Sequence, residues 1–306
     1  MSHMATHNFH SLTLAFAGGG AKCAAQAGVL EVLAEARLPV GAITGVSAGG
    51  AVAILHGLGY SPMAIRDYIA DTSLIEVWEF DPARRAIFGP EKVRAHIREA
   101  VGDKTFADLK IPVTVIAADL RTGREVHLNS GRLDEAVTAT MAIPGIFSPL
   151  HRDGMTLIDG GIINPLPLDV ARSLGRHVVA VDVLGNTASP DGPTQLFEAR
   201  GPISYATEVI RRLQLTGILE SVYQAATLTV NRLIDQSLRA NPPDVLIRPE
   251  VGRIGLFAFD LAYEAYRAGE SAARAALPQL EALARSRPEA AQPWLASLWR
   301  RITAKG

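Results

Sequence analysis

Residues 41–58 read GAITGVSAGGAVAILHGL, and within them Ser47 has one glycine two residues before it and another two residues after it. The residues before Ser47 are typical of a short strand, and the alanine-rich run after it is typical of a helix. Such a tight turn holds the backbone of a nucleophilic serine in a strained conformation with its hydroxyl pointing outward. Only glycine on each side avoids a Cβ clash in this turn. The amide of Ala48 then lies at a helix N-terminus, where it can face an anion. The stretch predicts a nucleophile elbow; the alternative is a glycine-rich turn in which Ser47 only caps the helix.

Three consecutive glycines, Gly18, Gly19 and Gly20, follow an apolar strand and precede a helix expected over residues 22–36. A loop of this kind presents several backbone N–H groups at once, and these bind a phosphate or stabilise an oxyanion. A dinucleotide fingerprint would require a third glycine where Cys23 stands, and a Walker loop would require a Gly-Lys-Ser or Gly-Lys-Thr sequence. The loop therefore favours oxyanion stabilisation, and no cofactor is expected.

Asp159 ends a second short apolar strand and is followed by two glycines. Carboxylates at the C-terminal ends of strands in α/β sheets lie where active sites form, so Asp159 is a candidate base for Ser47. The alternative is that Asp159 only caps the turn before the next helix.

The histidines argue against a full catalytic triad. In an α/β-hydrolase the histidine follows the acid, but the last histidine of this chain, His177, begins an apolar strand at residues 177–183. His127 and His151 precede Asp159 and have no motif around them, so both are interpreted as ordinary surface or turn residues. A dyad remains, in which the carboxylate accepts the serine proton directly.

With these motifs the chain resembles the patatin-like phospholipase family, which includes bacterial lipid acyl hydrolases. The resemblance rests on the glycine loop with Lys22, on the pentapeptide centred on Ser47, and on Asp159-Gly160-Gly161, in the family's order and approximate spacing. Residues 117–123 and 142–149 support it, and it covers about residues 10–185 well.

The resemblance implies serine–aspartate lipid acyl hydrolysis, with Ser47 as the nucleophile and Asp159 as the base. The basic residue after the loop, Lys22, is implied to lie near the lipid phosphate, although it could be only a solvated charge. The oxyanion donors are implied to lie among Gly18, Gly19 and Gly20.

One position departs from the family pattern, because Cys23 stands where a glycine usually follows the basic residue. If the loop needs a positive φ there, Cys23 would be strained. As the only cysteine it forms no intrachain disulfide, and it is expected to be a small buried hydrophobe on the first helix.

Strands alternate with helices along the chain, which predicts an α/β fold with a largely parallel central sheet covered on both faces. The resemblance implies a patatin-like three-layer α/β/α sandwich, and a helical C-terminal extension is expected. The expected domain spans residues 8–285, with long helices over 203–238 and 259–284, the second kinked or restarted at Pro278. Residues 286–306 are expected to form an amphipathic helical tail.

Two segments of this region have open interpretations. The loop at residues 184–202 is rich in proline and glycine and is interpreted as flexible rather than as a lid. The tail at residues 286–306 carries two tryptophans beside two arginines, which suits docking on the protein or on a partner chain, or contact with a membrane interface.

Composition narrows the function classes. A chain of 306 residues can bury one large core, and a formal net charge of -1 argues against a nucleic-acid partner. No secretory pattern, spanning apolar run or calcium-binding loop is found, so a cytoplasmic location and no metal are expected.

The leading hypothesis is a serine lipid acyl hydrolase of the phospholipase A or lysophospholipase type, acting on a lipid or acyl-ester substrate. The alternatives are an acyltransferase or small-ester esterase on the same site, and a catalytically weak lipid-binding or scaffold protein. Peripheral membrane contact and a homo-oligomer stay open.

Overall fold

The structure is a computed structural model that describes residues 10–72, 86–88, 90–185, 188–189, 192–193 and 216–286. The strands are β1 (Leu12–Phe16), β2 (Val40–Val46), β3 (Ala86–Phe88), β4 (Val113–Asp119), β5 (Arg124–Leu128), β6 (Gly145–Phe147), β7 (Leu150–Arg152), β8 (Met155–Asp159), β9 (Val178–Val181), β10 (Ala188–Ser189), β11 (Gly192–Pro193) and β12 (Val245–Ile247). The α-helices are α1 (Ala24–Glu35), α2 (Ala48–Leu58), α3 (Pro62–Ala70), α4 (Pro90–Val101), α5 (Leu133–Thr140), α6 (Leu168–Leu174), α7 (Thr216–Ala240) and α8 (Ala262–Arg285).

The central sheet is mixed and has eight strands, in the order β12-β9-β1-β2-β4-β8-β7 with β5 also paired to β4. The five strands from β12 to β4 are parallel, whereas β5, β7 and β8 pair antiparallel. The hairpin between β7 and β8 has Asp153 and Gly154 at its tip, both with positive φ (51° and 74°), as a type I′ turn requires. This tight turn makes β7 and β8 antiparallel neighbours, and β8 in turn pairs antiparallel with β4.

Helices cover both faces of the sheet, which confirms the predicted α/β class. Successive residues of β4 point to opposite faces. Ile116 packs with Val170 of α6, whereas Val115 lies against Gly50 of α2, where an added Cβ would be 2.8 Å from the valine methyl. The sheet is therefore the middle layer between α6 and α2.

Helices α1 and α8 pack closely because a glycine lies on each side of their contact. A Cβ at Gly28 would be 2.1 Å from the carbonyl oxygen of Tyr266, and one at Gly269 would be 1.9 Å from that of Ala25. Helix α8 runs through Pro278, so of the two alternatives expected there the helix is not restarted, and the kink stays a prediction. Packing of buried residues on both sides of the proline offsets the single lost backbone hydrogen bond.

A buried carboxylate joins α4 to α5. Asp134, at the start of α5, has a fully buried side chain and accepts from Arg94, Arg98 and Arg132 at 2.9, 3.0 and 2.9 Å. The first two arginines belong to α4, so one acid holds this helix against the next.

Some predictions fall partly outside the described residues. The helix expected over 203–238 is described from Thr216 onward as α7, and the loop at 184–202 is described only at its start and at the short β10–β11 pair. The expected tail lies outside the described residues except for Ser286. None of the described helices is long and apolar enough to cross a membrane.

Candidate active site

Ser47 lies between the end of β2 and the start of α2, so the structure shows the strand, turn and helix that the sequence predicts. Its backbone has φ 55° and ψ −135°, and its side chain forms no hydrogen bond that caps the helix. The flanking glycines allow close approach: a Cβ at Gly45 would be 2.6 Å from the carbonyl oxygen of Gly49, and one at Gly49 would be 2.4 Å from that of Ala17. The turn therefore requires glycine at both positions.

Thr140, at the end of α5, holds the backbone of this turn. Its fully buried hydroxyl oxygen accepts the N–H of Ser47 at 2.7 Å and donates to the carbonyl oxygen of Ile116 on β4 at 2.5 Å. Sequence reasoning missed this residue, because nothing in the local pattern distinguishes Thr140 from Thr138, two residues earlier.

Sheet pairing brings Asp159 to Ser47. Val46 pairs with Ile116 on one stretch of β4, and Asp159 pairs with the next residue, Ala117. The last residue of β8 consequently lies beside the residue that follows β2. The Ser47 side chain is close enough to the Asp159 carboxylate to lower the pKa of that carboxyl.

Burial raises the pKa of Asp159 to about 6, against the opposing effect of hydrogen bonds from the Ser47 side chain and the Gly161 backbone. The carboxylate is 5% exposed, and its Oδ1 accepts the Gly161 N–H at 2.7 Å. Because its side chain accepts this N–H at the start of the short 3-10 helix Gly160–Ile162, Asp159 also caps the turn, as the alternative interpretation expected. Its partners in the described part of the chain include no histidine.

Gly18 lies against the serine side chain. A Cβ added at Gly18 would be 3.1 Å from the Cβ of Ser47, which is tighter than ordinary van der Waals contact. The N–H of Gly18 donates to the carbonyl oxygen of Pro165 at 3.3 Å. This loop amide is therefore already engaged by the protein.

The next two loop glycines have free amides. Gly19 and Gly20 have φ values of 156° and 56°, and a Cβ at Gly20 would be 2.1 Å from the Leu256 carbonyl oxygen. Among the described residues, no acceptor meets the N–H of Gly19, Gly20 or Ala48. These three amides, at two helix starts near Ser47, can serve a negatively charged oxygen.

Lys22 is buried at 1% exposure, and its Nζ has no hydrogen-bond partner within the residues that the structure describes. Burial lowers the pKa of Lys22 to about 8. The alternative of a solvated surface charge is therefore wrong. Burying an ammonium without a hydrogen-bond partner is energetically unfavourable, so a bound anion would stabilise Lys22.

Cys23 is not strained, since its φ of −67° lies in the right-handed helical region. The strain considered at this position does not arise, because the residue sits in the short 3-10 helix Gly20–Cys23 that leads into α1. Its fully buried thiol donates to the carbonyl oxygen of Ala17 at 3.6 Å, and burial raises the pKa of the thiol. Cys23 is the buried hydrophobe that the sequence predicts.

An apolar pocket opens beside Ser47 and contains about 970 Å³ of empty space, its open mouth included. One face of α2 forms a wall with Ala48, Ala51, Val52 and Leu55. The other walls come from α4, from α5 and from the segment before α8. They include Val93, Ile97, Val137, Leu256, Phe257 and Phe259.

In the described part of the chain, the histidines considered from the sequence are not among the partners of Ser47 or Asp159. His127 is exposed and contacts Glu125 at 2.7 Å, and His177 is buried at the start of β9 near His10. In the described ranges, no group of three or more histidine, cysteine or acidic side chains could hold a metal ion.

Comparison with known proteins places the chain in a family. The sequence profile described as patatin-like phospholipase matches residues 14–172, just over half of the chain. This chain belongs to the patatin-like phospholipase family. The match includes the glycine loop, Ser47 and Asp159.

Relatives of this family member include an uncharacterized NTE family protein of Mycobacterium tuberculosis, 34% identical over 182 residues, which are 58% of this chain and 51% of the relative. Patatin-like phospholipase domain-containing protein 7 of Rattus norvegicus is 35% identical over 184 residues, 57% of this chain and 14% of that protein. The chain thus spans about half the length, or less, of the curated relatives it matches.

Among solved structures, VipD from Legionella pneumophila superposes with a TM-score of 0.56 at 13% sequence identity, covering 90% of this chain and 67% of that chain. The likeness shows a shared fold.

We expect Asp159→Asn to stabilise the protein at pH 8 but not at pH 4. Because the folded-state pKa of about 6 lies above the ordinary aspartate value of about 3.8, the favourable contribution of Asp159 is complete below pH 4 and is lost as the pH rises through 6. Across this pH range the free energy of unfolding of the wild type falls by about 3 kcal/mol through Asp159. Urea unfolding at both pH values measures it, with the exposed Asp153→Asn as the control. A gain that is equal at both pH values would contradict the assignment.

Thr140→Val should lower the free energy of unfolding by about 1–3 kcal/mol, because it leaves the buried Ser47 N–H without an acceptor. Thr138→Val is the matched control on the same helix, since that hydroxyl donates only to the Asp134 carbonyl one turn earlier. Equal losses in the two variants would show that Thr140 has no special role at the turn.

Proposed function

We propose that this protein is a lipid acyl hydrolase that cleaves carboxylic esters, with Ser47 as nucleophile and Asp159 as general base. The observation that carries the proposal is that sheet pairing places the Asp159 carboxylate beside Ser47, which itself lines an apolar pocket. Membership of the patatin-like phospholipase family supports it.

In the proposed mechanism, Ser47 Oγ attacks the ester carbonyl carbon while Asp159 accepts its proton. The raised pKa makes this carboxylate a stronger base than an ordinary aspartate. The proton then passes to the leaving alcohol, and an acyl-enzyme remains. Asp159 next activates a water molecule that releases the acid and restores the serine.

The tetrahedral oxyanion would be stabilised by backbone amides with no other acceptor. We assign this role to Gly19, Gly20 and Ala48, since the Gly18 amide is engaged by Pro165. Gly18 instead provides space beside the nucleophile. Each such donor contributes on the order of a hundredfold to the rate.

The pocket supports a substrate with an acyl chain, because its walls are apolar and begin at the nucleophile. The buried ammonium of Lys22 supports a phosphate-bearing lipid, since an anion would supply its absent partner. A peripheral membrane contact would follow from such a substrate, and it stays a prediction together with oligomerisation and a cytoplasmic location.

Ser47→Ala and Asp159→Asn should each abolish hydrolysis of a chromogenic short-chain acyl ester. The wild-type kcat/KM should fall tenfold per pH unit below about pH 6, because Asp159 must be ionised to accept the proton. Exposed Ser130→Ala and Asp153→Asn are matched controls. Retained turnover in either site variant would remove the dyad from the mechanism, and added alcohol would reveal any acyl transfer.

If Lys22 meets the lipid phosphate, Lys22→Met should lower kcat/KM for a phospholipid about 10- to 100-fold relative to that for an uncharged ester, since hydrogen bonds to charged groups are strong. The exposed Lys104→Met is the control. An unchanged ratio would leave Lys22 with no part in substrate recognition. Liposome and monomeric-ester assays on the same preparations give the ratio.

A further inference from the structure

The apolar pocket runs along α2, because one face of that helix forms its wall over two turns. The lining residues of α2 recur at the three- and four-residue spacing of a single helix face: Ala48, Ala51, Val52 and Leu55. Their side chains become larger with distance from Ser47, from alanine through valine to leucine. The wall therefore leaves most room beside the nucleophile and least at its far end.

Helix α4 forms a second wall, whose lining residues run from Val93 to Val101. Tyr60, just beyond the end of α2, donates from its hydroxyl to the carbonyl oxygen of Ala100 at 2.8 Å. This hydrogen bond joins the C-terminal ends of the two helices. The last lining residues of α2 and α4, Leu55 and Val101, therefore lie at the same end of the pocket, away from Ser47.

The far end of the pocket is made of buried side chains. Leu55 and Val101 are 2% and 3% exposed. Ala48 and Ala51, nearer the nucleophile, are only partly buried. The accessible part of the α2 wall is thus the part beside Ser47, and the wall ends in the packed core.

The distance from Ser47 to this end corresponds to a defined chain length. Leu55 follows Ser47 by eight residues, which is about 12 Å along the helix axis. An extended acyl chain advances roughly 1.3 Å per carbon, because successive bonds of about 1.5 Å alternate in direction. A chain of about nine carbons therefore reaches from the serine to Leu55.

We propose that Leu55 and Val101 end the pocket and restrict the acyl chain of the substrate to about eight to ten carbons. The inference rests on the proposed function and names its substrate class: esters of medium-chain acids. Each methylene up to this length leaves water for an apolar wall, which strengthens binding about fourfold. A longer chain must leave its last carbons in water or force buried side chains apart.

The first experiment measures kcat/KM of the full chain for the 4-nitrophenyl esters of straight-chain acids from butanoate to hexadecanoate. We expect the maximum at the octanoate or decanoate ester. The value for the tetradecanoate ester should be lower by about tenfold or more, since overpacking of a core is destabilising by this amount.

Variants at the end and in the middle of the wall should move this maximum in opposite directions. Leu55→Ala should move it about two carbons longer, because the substitution leaves a cavity at the end of the pocket, and Val101→Ala should act in the same direction. Ala51→Leu, halfway along the wall, should move it to the butanoate or hexanoate ester. Ile54→Ala is the matched control, since Ile54 is fully buried on the same helix but does not line the pocket. Each variant is judged by its own ratio of rates for two chain lengths, so a smaller folded fraction does not alter the result.

The second experiment measures binding without turnover. Ser47→Ala is titrated by calorimetry with octanoic, decanoic, dodecanoic and tetradecanoic acids below their aggregation concentrations. We expect the affinity to rise up to decanoic acid and not beyond, and Leu55→Ala in the same background to extend the rise to dodecanoic acid.

Rates or affinities that keep rising to the tetradecanoyl chain overturn the proposal, as do a maximum that Leu55→Ala leaves where Ile54→Ala leaves it and a failure of all four acids to bind. If no ester is hydrolysed the proposed function fails, and the binding series still decides the limit on chain length.

Discussion

The backbone of Ser47, held at a positive φ of 55°, is the constraint around which the site is built. A non-glycine residue takes such a conformation only where its surroundings impose it. Here three contacts do so: the close approach of Gly45 to Gly49, the packing of Gly49 on β1, and the hydrogen bond from the Ser47 amide to Thr140. The serine is thereby fixed between the sheet and α2 before any substrate arrives.

The antiparallel entry of β8 complements this turn. Because β8 pairs with β4 just beyond the stretch paired to β2, its terminal carboxylate lies beside the serine without a long loop. Rigid strands therefore position both members of the pair. The same burial that raises the pKa of Asp159 also destabilises its ionised form, so the role proposed for this carboxylate as a base opposes fold stability.

The buried polar atoms that have no partner in the described part of the chain include Nζ of Lys22 and Nε2 of His96. The two residues differ in place, since Lys22 follows the glycine loop and His96 is one of the residues that line the apolar pocket. The unpaired ammonium is unfavourable in the empty protein, and an anion that pairs with it would be bound correspondingly more tightly.

The sequence by itself determined the strand-to-helix turns, the glycine loop and the candidate pair Ser47 and Asp159, because local spacing and residue type carry those signals. It also contains Asp153-Gly154, which is typical of a hairpin, although the predictions included only the strand that ends at Asp159 and neither β7 nor the antiparallel pairing. Only the tertiary structure decided that Thr140 supports the Ser47 turn, that Lys22 is buried, and that His96 reaches the pocket. The physical reason is that hydrogen-bond partners and burial depend on residues far apart in the chain: Ser47 and Thr140 are separated by 93 positions, and no local pattern records their contact.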